Sequence, residues 1–528
     1  MDDVLASRLL TAIHTIRYDS HMDDKTVEEL VSCMEEAYVT VVRGPSSFIR
    51  KIGSSQSLPT VKRRRSKRKK FARNASSAHW IHVLLMLVIR IIAVFQLSYL
   101  DPDEFFQAGD PVVRPRDGLT WEWARGLRSI LHPALIAPAG LALHPWGRIL
   151  VARLIQLAVT LGSDLVFLRF RRLVGLGTIR FTILVTGNIL ALLYGCRTYA
   201  NALEAALVLL SVSFFPLTSS VTSSHAFAAY SIAGVCCWIR PTSAVFFLAL
   251  FLMSARPFFR HVALGLAAVP GVLLTCGGAE YLYYGRIVIP PLEFIKFNVL
   301  EGNAAFYGTN APWYFLAVAA LAVWPIFLAP TLPKSPAQRK LFLAALVTVG
   351  VLSLSPHKEM RFILPVIPFL AIPVVTPVGI WKFRVTGFVW IVWTVVLFSV
   401  YGFLQQAPPV LALPSINQCL AAGDVAVLAP CHSIPEFPLS RPLLTLKCDP
   451  PPSPAREDAV LDDPALGELL AAGELFDMER LSCLVMYDSV WSQVRPSNPG
   501  LTVWRRWEAK EVLPDERRGD LVIVRPLE

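Results

Sequence analysis

The sequence predicts an all-α polytopic membrane protein carrying a small α/β domain at its C-terminal end, and three observations predict it. Of 528 residues, 54% are hydrophobic and only 17% charged, with a mean hydropathy of +0.50, a balance too apolar for a soluble chain of this size. From Trp80 to about Phe403, apolar runs alternate with short polar or Pro-rich breaks. After about Gln405 the composition turns mixed, acidic and Pro-rich, and short β-type runs replace the long apolar ones.

Residues 1–78 form a polar, basic leader, expected to be largely disordered and cytosolic. Its block Lys62-Arg63-Arg64-Arg65-Ser66-Lys67-Arg68-Lys69-Lys70 accounts for most of the net charge of +11. Such a block fits a cytosolic membrane flank, an anionic-lipid contact or a nuclear import signal. The apolar run Trp80 to Leu97 follows within a few residues, which favours the flank, with no nucleic-acid partner.

Residues 79–405 are expected to cross the bilayer about 11 times, at roughly 20 apolar residues per crossing. The runs lie near 80–98, 147–169, 179–196, 202–217, 225–239, 242–255, 261–283, 313–331, 340–355, 361–380 and 386–404. Those at 202–217 and 242–255 are short and fit re-entrant or partly embedded helices. Residues 99–146 form the first loop on the lumenal side, its part from Thr120 to Trp146 amphipathic and interfacial. In 406–528 the runs Val425–Leu428, Leu484–Tyr487 and Leu521–Val524 read as strands of a lumenal α/β domain.

The nine cysteines include no CxxC pair and no Cys/His spacing suited to zinc, so no metal site is expected. Four of them, Cys419, Cys431, Cys448 and Cys483, fall in the C-terminal segment, where an oxidising lumen permits a disulfide. Cys431 and Cys448 enclose a short loop and are the expected pair, worth about 3 kcal/mol.

Charged residues at the ends of apolar runs mark four candidate clusters, because charge in or near a bilayer is costly. Asp101, Asp103 and Glu104, with Asp110 behind, read either as a solvated loop flank or as a general base with carboxylates that position substrate. Arg197, Asn201 and Glu204, at i, i+4 and i+7, fall on one helical face and fit a buried structural network or a ligand-facing one equally. Arg240, before Pro241, is a positive-inside turn or a functional cation. His357, Lys358 and Arg361 at a helix mouth suit a phosphate or form a topogenic charge cluster, His357 and Arg361 being about one helical turn apart. A transporter would place ionisable groups near the midplane and often shows two similar halves, whereas here no halves repeat. Acid and base at run ends suit an enzyme that takes a sugar from a lipid phosphate.

At these residues the chain resembles the dolichol-phosphate-mannose-dependent mannosyltransferases, glycosyltransferase family 22. The likeness runs from Asp101-Pro102-Asp103-Glu104-Phe105-Phe106-Gln107 through Leu119-Thr120-Trp121-Glu122-Trp123, Cys196-Arg197-Thr198 and Ile239-Arg240-Pro241-Thr242. It continues in Lys296-Phe297-Asn298-Val299-Leu300, Phe306-Tyr307-Gly308-Thr309, His357-Lys358-Glu359-Met360-Arg361-Phe362 and Pro430-Cys431-His432-Ser433. Several of these motifs resemble the branch that adds the third mannose to the glycosylphosphatidylinositol (GPI) precursor. Asp110 and Val113 depart from a family Glu and His, and Pro312-Trp313-Tyr314 shortens a family run.

The resemblance implies a GT-C fold in the endoplasmic reticulum membrane with a lumenal active site. It implies dolichyl phosphate mannose as donor, a GPI precursor with two mannoses as acceptor, α1,2 linkage, inversion by single displacement and no cofactor. The related fourth-mannose and N-glycan mannosyltransferases remain as alternatives, as does a lipid or sugar transporter. Asp103, then Glu104, are the expected catalytic residues, and His357, Lys358 and Arg361 the donor-phosphate ligands. Asp101, Gln107, Asp110, Arg197, Asn201, Glu204, Arg240 and Tyr307 are expected to bind substrate or organise the site.

Overall fold

The computed structural model describes residues 83–114, 119–173, 185–218, 221–323, 333, 335–375, 380–430, 432–446, 461, 463–509 and 520–526. The expected leader and the expected Cys431–Cys448 pair lie outside the described residues, as do parts of the runs near 179–196, 313–331 and 361–380.

Apolar sequence from Val83 to Leu404 winds into a helical bundle. Where its helices start, the sequence supplies the cap: Asn188 accepts from the Ala191 amide, Thr222 from that of His225, and Ser335 with Gln338 forms a reciprocal capping box. Among the described residues, three helices, Pro145–Leu168, Phe258–Tyr284 and Gly387–Leu404, are long and apolar enough to cross a membrane. Only 11% of the most apolar window of Phe258–Tyr284 is buried against protein, which suits a helix facing lipid. The runs read as short are short helices, Ala200–Phe214 and Ser243–Ser254, of 15 and 12 residues. At 1.5 Å per residue neither reaches the roughly 30 Å of a hydrocarbon core. The bundle packs around buried Phe246, Phe315, Leu341 and Phe369, with Phe246 and Phe369 stacked at 5.0 Å.

Beyond the bundle the chain forms a five-stranded sheet, β1 (Asp424–Leu428), β2 (Leu444–Thr445), β3 (Leu481–Tyr487), β4 (Leu501–Trp507) and β5 (Leu521–Pro526). Its order is β2-β1-β3-β5-β4, parallel where β1 meets β2 and β3, and antiparallel where β5 meets β3 and β4. The three runs read as strands are β1, β3 and β5, and they are central and buried because both faces of the sheet are covered. Helices Leu466–Ala471 and Asp488–Val494 cover one face. The helix Leu413–Ala422 covers the other and is tied to β3 by a disulfide between Cys419 and Cys483.

That second face also receives Tyr99, Phe105 and Phe106 from the acidic loop, so the sheet fixes where the loop sits. Tyr99 Oη donates to the His432 carbonyl, and the Phe106 ring meets the His432 imidazole edge-on at 4.5 Å. Approach at Gly109 is so close that a Cβ there would lie 2.4 Å from Phe437. Arg148 Nη1 donates to the Leu439 carbonyl at 2.6 Å, and Arg114 pairs with Glu436 at 2.9 Å.

Candidate active site

The acidic motif divides between two environments. A single helical turn, Asp103–Phe106, starts at Pro102 and turns Glu104 inward. Arg153 takes both Glu104 oxygens, at 2.7 and 3.1 Å, and Arg197 takes one at 2.9 Å. Burial raises the Glu104 carboxyl, but the two guanidinium groups outweigh it and hold it below its usual range. Asp103 lies on the open side, about a quarter exposed. Its Oδ2 accepts from Arg361 Nη2 at 2.6 Å. Burial raises the Asp103 carboxyl, against the pull of Arg361. Burial also lifts neighbouring Asp101 to about 6, and the Asp101 Oδ2 is buried with no hydrogen-bond partner among the described residues.

Arg361 is clamped. Besides Asp103 it pairs with Glu359, and its guanidinium lies over the Tyr199 ring at 5.1 Å. Glu359 Oε1 also meets His357 Nε2 at 2.9 Å. Burial pushes the Glu359 carboxyl up, but Arg361 and His357 prevail and hold it down to about 2. Glu359 is extended (ψ 149°) and helical winding begins only at Met360, so His357 and Arg361 do not share the helical turn expected of them. Glu359 brings them together instead. Lys358 turns elsewhere: its Nζ donates to the carbonyls of Ser355, at 2.5 Å, and Asn310, at 3.1 Å, an arrangement that satisfies main chain rather than a ligand.

A second polar group faces this one. Glu122 accepts from Arg128 at 2.6 Å, from Gln107 Nε2 at 3.3 Å and from Tyr307 Oη at 3.3 Å, and the Tyr307 ring lies 5.6 Å from His357. Burial raises the Glu122 carboxyl, but Arg128 outweighs it, leaving Glu122 below its usual range.

The helix Ala200–Phe214 begins after extended Tyr199, so Arg197 is not on it and does not share a face with Asn201 and Glu204. Arg197 turns to Glu104 and Ser98, whereas Asn201 Nδ2 donates to Glu204 at 3.1 Å. Glu204 also accepts from Ser243 and stands 3.8 Å from Arg240. Asp110 is separate: 3.6 Å from Arg114, it belongs to the contact between the acidic loop and the C-terminal segment, and burial pushes it up to about 8. Gln107, Arg128, Trp238, Arg240, Pro241 and Phe294 line a pocket.

Residues 80–438 match the Alg9-like mannosyltransferase family. The chain belongs to that family. It is therefore a glycosyltransferase, and within the family it is similar to GPI mannosyltransferase 3 of Drosophila melanogaster, 28% identical over 414 residues that cover 70% of this chain and 72% of the relative. It is similar also to GPI mannosyltransferase 3 of Yarrowia lipolytica, 29% identical, with 69% and 77% covered. GPI alpha-1,2-mannosyltransferase 3 of Homo sapiens is 25% identical, with 70% and 72% covered. The crystal structure of ArnT from Cupriavidus metallidurans in the apo state superposes with a TM-score of 0.56 at 13% identity, covering 86% of this chain and 99% of that one. That likeness gives the fold, GT-C, and with the relatives it makes the chain a multi-pass membrane enzyme.

Several participants were not singled out as site residues from sequence: Glu122, Arg128, Arg153, Glu359 and His432. A signal existed for Arg153, one of four charges, with Arg148, Asp164 and Arg169, inside the apolar run 147–169. Glu122 and Glu359 stood inside motifs of the family resemblance.

Proposed function

We propose that this mannosyltransferase adds the third mannose of the GPI precursor, from dolichyl phosphate mannose, in α1,2 linkage. The reaction takes place on the lumenal side of the endoplasmic reticulum membrane, which residues 79–405 cross about 11 times, with the N-terminus cytosolic and residues 406–528 lumenal. The observation that carries the chemistry is the Asp103 carboxylate, open on one side and 2.6 Å from a buried guanidinium on the other.

In this reading Asp103 takes the proton of the acceptor mannose 2-hydroxyl as that oxygen attacks C1 of the donor mannose. The new C–O bond forms on the face opposite the phosphate. The C1–O bond to phosphate breaks and its electron pair leaves on the phosphate oxygen, giving dolichyl phosphate and inverted configuration. Arg361 offers that oxygen a charge-assisted hydrogen bond, with His357 beside it. Glu104, fully committed to Arg153 and Arg197, is a positioning residue that seats the turn bearing Asp103.

Purified enzyme supplied with dolichyl phosphate mannose and a two-mannose GPI acceptor tests the reading. A three-mannose product with a new α1,2 linkage is expected. Transfer only to a three-mannose acceptor, or only to an N-glycan precursor, would replace it with the corresponding relative's reaction, and uptake without a glycosidic bond would make the protein a transporter.

A further inference from the structure

Of the two arginines that line the pocket of the candidate site, Arg240 has little to hold. Arg240 ends the helix Ser223–Ile239 in extended conformation (φ −138°, ψ 98°), which carries its side chain away from the helix and into the pocket wall. It is 94% buried, its nearest carboxylate oxygen, on Glu204, is 3.8 Å away, and its Nε has no hydrogen-bond partner among the described residues. A buried guanidinium without hydrogen bonds bears a desolvation cost that a native fold rarely leaves uncompensated. Arg361 is about as buried, and although its Nη2 is held by Asp103 and Glu359, its Nε too lacks a partner among the described residues. The two guanidinium groups lie near one ring, 5.3 and 6.0 Å from the centre of Phe362.

We propose that Arg240 and Arg361 together grip the donor's phosphate beside Phe362, a diester until the C1–O bond breaks and a monoester afterwards, and that Arg240 rather than Lys358 is the second cation on it. This rests on the mannosyltransfer reading above and adds a ligand-binding residue to it. Planar guanidinium groups fork onto phosphate oxygens, and the two non-bridging oxygens of the diester, joined by the third that C1–O cleavage frees, give acceptor sites for both. Lys358 cannot serve without giving up the carbonyls of Ser355 and Asn310. Arg240 also lines a pocket with Gln107, Arg128 and Trp238, which brings further polar groups beside that phosphate.

The test uses full-length enzyme in detergent and reads two things. One is the rise in thermal midpoint on adding dolichyl phosphate, dolichol, phosphatidylinositol or inorganic phosphate; the other is KM for donor and for acceptor. Wild type should be stabilised by dolichyl phosphate and not by dolichol, which has no phosphate, or by phosphatidylinositol, whose phosphate joins inositol to a diacylglycerol rather than to a polyprenyl chain. Arg240→Gln should lose that stabilisation and raise donor KM at least tenfold, with acceptor KM unchanged. Arg240→Lys, which keeps a charge opposite Glu204 and so guards against misfolding, should show an intermediate loss. A folded Arg240→Lys or Arg240→Gln enzyme with the full dolichyl phosphate effect overturns the proposal. So does a loss confined to acceptor KM, or stabilisation by inorganic phosphate alone. The thermal readout needs no turnover: wild type that binds dolichyl phosphate through Arg240 but transfers no mannose would overturn the reaction and leave the phosphate site standing.

Discussion

Asp103 and Arg361, 258 positions apart in the chain, meet at 2.6 Å between carboxylate Oδ2 and guanidinium Nη2. The contact ties the first loop to the first turn of the helix Met360–Leu370 and gives one cation two tasks. While paired, Arg361 favours the ionised carboxylate, the form able to accept a proton, although burial raises that carboxyl. When a phosphate reaches Arg361, it competes with Asp103 for the same donors. The base is then less tightly held at the moment the leaving group is in place.

Asp103→Asn keeps the shape of the side chain and removes the base. Turnover should fall by about 10²- to 10⁴-fold, the usual worth of a positioned general base. Cells relying on the variant should accumulate the precursor with two mannoses, read by labelling of GPI lipids. Because Asn competes less for Arg361, dolichyl phosphate should bind the variant at least as tightly as wild type. A variant as active as wild type would remove Asp103 from the chemistry.

Glu104→Gln should act on the fold instead. Leaving Arg153 and Arg197 buried without their shared carboxylate is the breaking of a buried ion network, which typically costs 3–5 kcal/mol. Lower protein level and a lower thermal midpoint are expected, with turnover retained in whatever folds. Normal stability with abolished turnover would exchange the roles of Glu104 and Asp103.

Charge at the ends of apolar runs singled out Asp103, Arg361, Arg240 and Glu204, because a bilayer makes such charges conspicuous, and short continuous apolar runs between polar segments marked β1, β3 and β5. Direction was not legible. Nothing in Asp103-Glu104 says which carboxylate turns inward, since that is decided by Arg153 and Arg197, 49 and 93 positions away. Helical spacing misled at Arg197 and at His357 with Arg361, where extended residues, Tyr199 and Glu359, interrupt the winding. Lys358 was placed on phosphate by its charge alone, while two carbonyls claim its ammonium.

Asp110 should make stability depend on pH. Its carboxyl is raised from 3.8 to about 8 by burial, so across that window the folded protein keeps a proton that the unfolded chain has lost. Stability therefore falls as pH rises from about 4 toward 8. Asp110→Asn, which cannot ionise, should flatten this dependence. Thermal midpoints of both proteins across the window check it, and an equal decline in the two would mean that Asp110 is not the group responsible.

The C-terminal segment should be lumenal, and the Cys419–Cys483 disulfide offers the means to test it. Such a bond persists in an oxidising compartment and not in the cytosol. It closes a chain segment with a sequence separation of 64, for which the loop-entropy argument gives about 4 kcal/mol. In denatured, unreduced protein, Cys419 should resist maleimide, and Cys483→Ser should release it while lowering the thermal midpoint. A second bond, between Cys431 and Cys448, would leave those two thiols unreactive in the same variant. Protease added to sealed microsomes should spare residues 406–528 until detergent opens the membrane. Cleavage from outside, together with a freely reactive Cys419 in the wild type, would put the segment in the cytosol and reverse the topology on which a lumenal active site depends.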